Sequence, residues 1–115
     1  MAKEKRKPRK AAVVRLGKYG TEMGDPMDNL FEEASEIIQA VGKYYRFSPP
    51  HDVNPRNGKN TIQNIEQEIG DLNVMVRILI KRKILSKKRI AKAERDKIAK
   101  LKHNYGYDFK KDRHV

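Results

Sequence analysis

Four carboxylates stand in two pairs of equal spacing, Glu33-x-x-Glu36 and Glu68-x-x-Asp71, in a chain otherwise rich in cations. On a helix, residues three apart occupy neighbouring turns about 60° apart around the axis, so each pair repels itself unless a cation lies between. As oxygen ligands from two helices, the four suit a hard divalent ion such as Mg²⁺, with Mn²⁺ as the alternative. The bland alternative is four solvated acids on ordinary helix faces. E-x-x-E recurs by chance, and spacing alone leaves both readings open. His51, His103 and His114 have no ligand spacing among them and read as surface residues. With no cysteine there is no thiolate metal site, disulfide or cysteine nucleophile.

The acids sit on two amphipathic patterns. From Asn60 to Lys81, the apolar residues Ile62, Ile65, Ile69, Leu72, Val76 and Leu79 recur at steps of three and four. Asn60 and Gln63 have capping-box spacing and predict the helix start. Asp25-Pro26 predicts another start, an acidic cap with proline in the first turn. There Met27, Leu30, Phe31, Ala34, Ile37, Ile38, Val41 and Tyr45 form one broad stripe. In both helices the acids lie to one side of the stripe, so antiparallel packing lets the pairs meet at the rim of one seam.

Between the patterns, residues 46–59 carry three prolines and Gly58 and read as a long loop, either a lid or a tolerated insertion. Ser86 predicts the cap of a third helix ending near Gly106, with a thin stripe of Ile90, Ala91, Ile98, Leu101 and Tyr105. That segment is strongly basic: residues 81–102 hold eleven Lys/Arg against Glu94 and Asp96. The expected architecture is all-α: an antiparallel bundle of three main helices, completed by dimerisation, with basic flexible termini. Residues 1–24 form a basic arm and a short segment, strand-like or one helical turn. Residues 25–106 form the helical domain and 107–115 a mobile tail.

Composition bounds the rest. A chain of 115 residues supports one small core, here aliphatic because aromatics make up 7% and tryptophan is absent. Lys+Arg number 27 against 15 Asp+Glu, a net charge of +12 that favours a polyanionic partner. No apolar run approaches the roughly 18 residues of a membrane span, and no signal-peptide core follows the basic start. The expectation is a cytoplasmic protein without membrane association. Nucleic acid is a further partner the basic termini would suit.

The stretches LFEEASEIIQA and IEQEIGDLNVMV resemble the MazG-like, all-α nucleoside triphosphate pyrophosphohydrolases. Glu32-Glu33-x-x-Glu36 and Glu68-x-x-Asp71 match that family's E-E-x-x-E and E-x-x-D helices, and Gly70 falls where the family often has glycine. The similarity covers residues 30–79 and weakens through the third helix. The glycine-containing segment 11–24 is shorter than the helix the family usually has there. The resemblance implies hydrolysis of an NTP or dNTP to the monophosphate and pyrophosphate. It implies Glu33, Glu36, Glu68 and Asp71 as the catalytic acids holding Mg²⁺. In the third helix it implies Lys97, Lys100 and Asn104 as substrate contacts. It also implies subunits that complete one another's bundles, a homodimer or homotetramer, and the apolar run VMVRILI suits a second packing surface. Two other readings of the same helices are a basic nucleic-acid-binding module and a non-catalytic assembly protein.

Overall fold

The computed structural model describes residues 22–46, 53 and 58–112. They form helices α1 (Pro26–Arg46), α2 (Thr61–Lys81) and α3 (Lys87–Tyr105), followed by a 3₁₀ turn at Phe109–Lys111. No strand occurs among the described residues, and no helix there is long and apolar enough to cross a membrane. The basic arm, the 11–24 segment as far as residue 21, and loop residues 47–52 and 54–57 lie outside the described residues.

Each helix starts where its cap chemistry places it. The Met27 N–H donates to Asp25 Oδ1 at 2.9 Å, while Pro26 has no N–H to satisfy. The Gln63 N–H donates to Asn60 Oδ1 at 2.7 Å, and the Asn60 N–H donates to Gln63 Oε1 at 3.0 Å, closing the capping box. The Arg89 N–H donates to Ser86 Oγ at 3.2 Å. Asn60→Ala is expected to cost about 1 kcal/mol, read as a lower urea midpoint with an unchanged slope.

The extensive helix–helix contact among the described residues is α1 against α2. Ala40 and Leu79 are buried there, as is Thr61 at the start of α2. The broad stripe of α1 splits into two lines. Leu30, Ile37 and Tyr44 are half-buried, while Phe31, Ile38 and Tyr45 are 77%, 73% and 80% exposed. At about 100° per residue, the apolar arc of α1 is about 140° wide, more than one neighbouring helix covers. The seam therefore lies at one edge of that arc, the edge carrying Glu33. Likewise Ile69 of α2 is turned partly out while Glu68 is half-buried.

A tight corner joins α2 to α3. Ile84 N–H donates to Leu79 C=O at 3.0 Å and Lys83 N–H to Ile80 C=O at 2.9 Å, closing α2 as a Schellman motif. The left-handed residue of that motif is Lys83, at φ 60°, where glycine is usual. Beyond the corner no residue of α3 is buried. Along the thin stripe of α3, Ile90, Ala91 and Leu101 are half-buried, while Ile98 and Tyr105 are 37% and 78% exposed. The tail differs from expectation as far as residue 112. Gly106, at φ 66°, turns the chain, Asp108 caps the 3₁₀ turn and the Tyr107 hydroxyl donates to Asp112.

Candidate metal centre

Antiparallel packing carries three of the four acids to one place. Glu33, Glu36 and Glu68 each offer a carboxylate oxygen, and these oxygens lie within 4.8 Å of one another. Asp71 is outside that trio, yet its charge acts on both Glu33 and Glu68. The arrangement follows from position: Glu33 lies on the face of α1 turned to α2, Glu36 follows one turn later at the rim, and Glu68 faces both.

The electrostatics are those of crowded acids. The Glu68 carboxyl is pushed up to about 7. Its hydrogen bond with Glu36 is the first cause, followed by burial and the charges of Glu36, Asp71 and Glu33. The Glu33 carboxyl is raised by burial first, then by the charges of Glu36 and Asp71. Glu33 Oε2 and Glu68 Oε2 are both buried and neither takes part in a hydrogen bond. A buried carboxylate oxygen without a donor is costly. Two such oxygens, on carboxylates that approach one another this closely, suit a hard divalent cation held by oxygen, which makes the donor set a chemical fit for Mg²⁺.

Beside the acids runs an open cleft of about 280 Å³. It is lined by Glu36 and Glu68, by the amides of Gln39 and Asn64, by Thr61 and by Lys43. Gln39, Asn64, Thr61 and Lys43 carry no motif of their own, although helical arithmetic reaches them. Gln39 and Lys43 lie three and seven residues beyond Glu36, and Asn64 and Thr61 lie four and seven before Glu68, all close to the acids' own faces. The cleft thus combines anionic ligands at one end, a cation and uncharged hydrogen-bonding groups. Lys97, Lys100 and Asn104 are exposed on α3, and no α3 residue lines the cleft. Gly70 is exposed within α2, with open space where a Cβ would stand.

Comparison of the chain with protein-family models, curated proteins and solved structures finds no match.

Proposed function

We propose that the chain is a nucleoside triphosphate pyrophosphohydrolase. With a divalent cation bound by Glu33, Glu36 and Glu68, it adds water to the α-phosphorus and breaks the α–β anhydride, giving the monophosphate and pyrophosphate. The observation that carries this reading is the meeting of three carboxylates from two helices, with two buried oxygens lacking donors. Mg²⁺ or Mn²⁺, when bound there, supplies a Lewis acid for phosphate oxygens and a water of lowered pKa. Asp71 adds negative charge behind the ligands and strengthens their hold. Lys43 sets a positive charge in the cleft against the triphosphate, and Gln39 and Asn64 present amide groups suited to a base or sugar edge. The test is pyrophosphate release from a panel of NTPs and dNTPs with and without Mg²⁺. No release from any of them ends the reading.

Lys43→Ala is expected to lower kcat/KM about tenfold or more, the scale of a lost charged hydrogen bond. Its helical circular dichroism should match that of the unmodified protein. A variant with unaltered kinetics would remove Lys43 from the site.

In this reading the chain works as a homodimer or homotetramer. The line Phe31, Ile38 and Tyr45 repeats every seven residues on the outer edge of α1 and suits the same line of a second copy. Lys97, Lys100 and Asn104 then approach a cleft from the α3 of another subunit. Lys100→Ala should lower turnover, and mixing it with an inactive Glu68→Gln protein should restore part of the activity, since a mixed pair has one cleft with both parts intact. Loss without recovery on mixing places Lys100 at its own subunit's cleft instead.

A further inference from the structure

The cations of α3 are not evenly spread. At about 100° per residue, Lys88, Lys92, Arg95 and Lys102 share about 80° of arc over about 21 Å of helix. Lys92 is paired with Asp96 at 2.8 Å, and Lys88, Arg95 and Lys102 are exposed. Lys97, Lys100 and Asn104 lie on the other side of the helix, about 150° away. The line ends in a groove of about 320 Å³, where the turn at Gly106 lays the chain back beside the last turns of α3. Ile98, Ala99 and Phe109 give it apolar walls, and Arg95, Lys102 and Lys110 surround them with positive charge. The acid of this groove, Asp108, accepts the Lys110 N–H at 3.1 Å. Phe109 is 58% exposed. An exposed aromatic ring in a groove that Arg95, Lys102 and Lys110 also line, at the end of a cationic line, is a platform for a flat, electron-rich group joined to a chain of negative charges.

We propose that this face of α3 binds single-stranded nucleic acid, with phosphates along Lys88, Arg95 and Lys102 and an unstacked base against Phe109. The length fits: about 21 Å is the rise of about six stacked nucleotides. Duplex satisfies the cations but keeps its base faces inside the stack, away from Phe109. An acidic peptide supplies charge without a π-face. A membrane surface calls for a wide apolar side opposite the charge, whereas the cations of α3 spread over about 280° of its circumference. The inference is independent of the hydrolase reading, because it uses neither the acids nor their cleft.

The test is fluorescence anisotropy with the full chain and labelled twelve-nucleotide oligothymidylate, oligouridylate and a duplex of equal length, over a range of salt. Micromolar binding of a single strand is expected, with log K falling by about 2 to 3 per log unit of salt, at about 0.7 per phosphate contact. Lys88→Ala and Arg95→Ala should each lower that slope by about 0.7. Arg77→Ala, the same charge removed from α2, should leave it unchanged. Phe109→Ala should weaken binding about tenfold at constant slope, with unchanged helical circular dichroism. The proposal is overturned if duplex binds as tightly as the single strands, if poly-glutamate competes as well as unlabelled oligonucleotide, or if Phe109→Ala is without effect.

Discussion

Glu68→Gln is expected to lower nucleotide hydrolysis about a thousandfold and, in the same molecule, to raise the melting temperature of the metal-free protein. Both effects come from one atom set. Glu68 has a buried oxygen without a donor and stands among Glu33, Glu36 and Asp71. Removing its charge relieves repulsion from all three, and the amide donates to Glu36 where two carboxyls otherwise compete for one proton. The same amide is a poor replacement for an anionic ligand. Lewis-acid stabilisation is worth several kcal/mol, and each 1.36 kcal/mol is a factor of ten in rate, hence the expected loss. Pyrophosphate release and a thermal melt in EDTA read the two effects. An inactive variant that melts lower than the parent would make Glu68 a structural residue, and an active one would remove it from the centre.

Acidification is the second large effect, and its direction is unusual for a carboxylate. Folded, Glu68 titrates near 7, while the ordinary value for the side chain is 4.5. Between those pH values the folded chain keeps a proton that the unfolded chain has released. The unfolded state then binds fewer protons, so stability falls as pH rises from about 4.5 to about 7 and levels off above. Glu33 acts in the same sense. The metal-free protein should therefore melt higher at pH 5.5 than at pH 7.5. Mg²⁺ should oppose the trend, because cation and proton compete for the same oxygens. At a hundredfold excess over Kd, binding adds about 2.7 kcal/mol, or roughly 10–20 °C in a domain of this size. That rise should be largest at pH 7.5 and above and shrink toward pH 5.5. Melts in EDTA and in MgCl₂ across this range provide the measurement. An equal Mg²⁺ shift in the Glu68→Gln protein would place the ion elsewhere.

The caps are the part of the fold most legible in the sequence, because an Asp-Pro step, an Asn-x-x-Gln box and a Ser before a helical run act through bonds within four residues. The approach of Glu33, Glu36 and Glu68 was legible too, since it needs only helical period and an antiparallel partner. Which edge of α1 turns inward was not. Leu30 and Phe31 are neighbours in one apolar arc, and only the second helix decides which is covered. Lys43 was within reach of the same arithmetic, two turns beyond Glu36 on the same face. The turn at 107–112 depends on Asp108 capping Lys110 and on Tyr107 reaching Asp112, local bonds in a segment whose composition reads as a tail. The bearing of α3 had no visible signal, because the corner residue is a lysine in a conformation that usually announces itself with glycine.

That corner makes α3 a lever. Its 19 residues extend about 28 Å from the pivot at Lys83. A rotation of about 10° there sweeps the far end through about 5 Å. Among the described residues the extensive helix–helix contact is α1 against α2, so the distance between the cleft and the aromatic groove depends strongly on the backbone torsions of the corner at residues 82–86. Glycine at position 83 removes the Cβ that narrows those torsions, and so loosens the aim of everything beyond it.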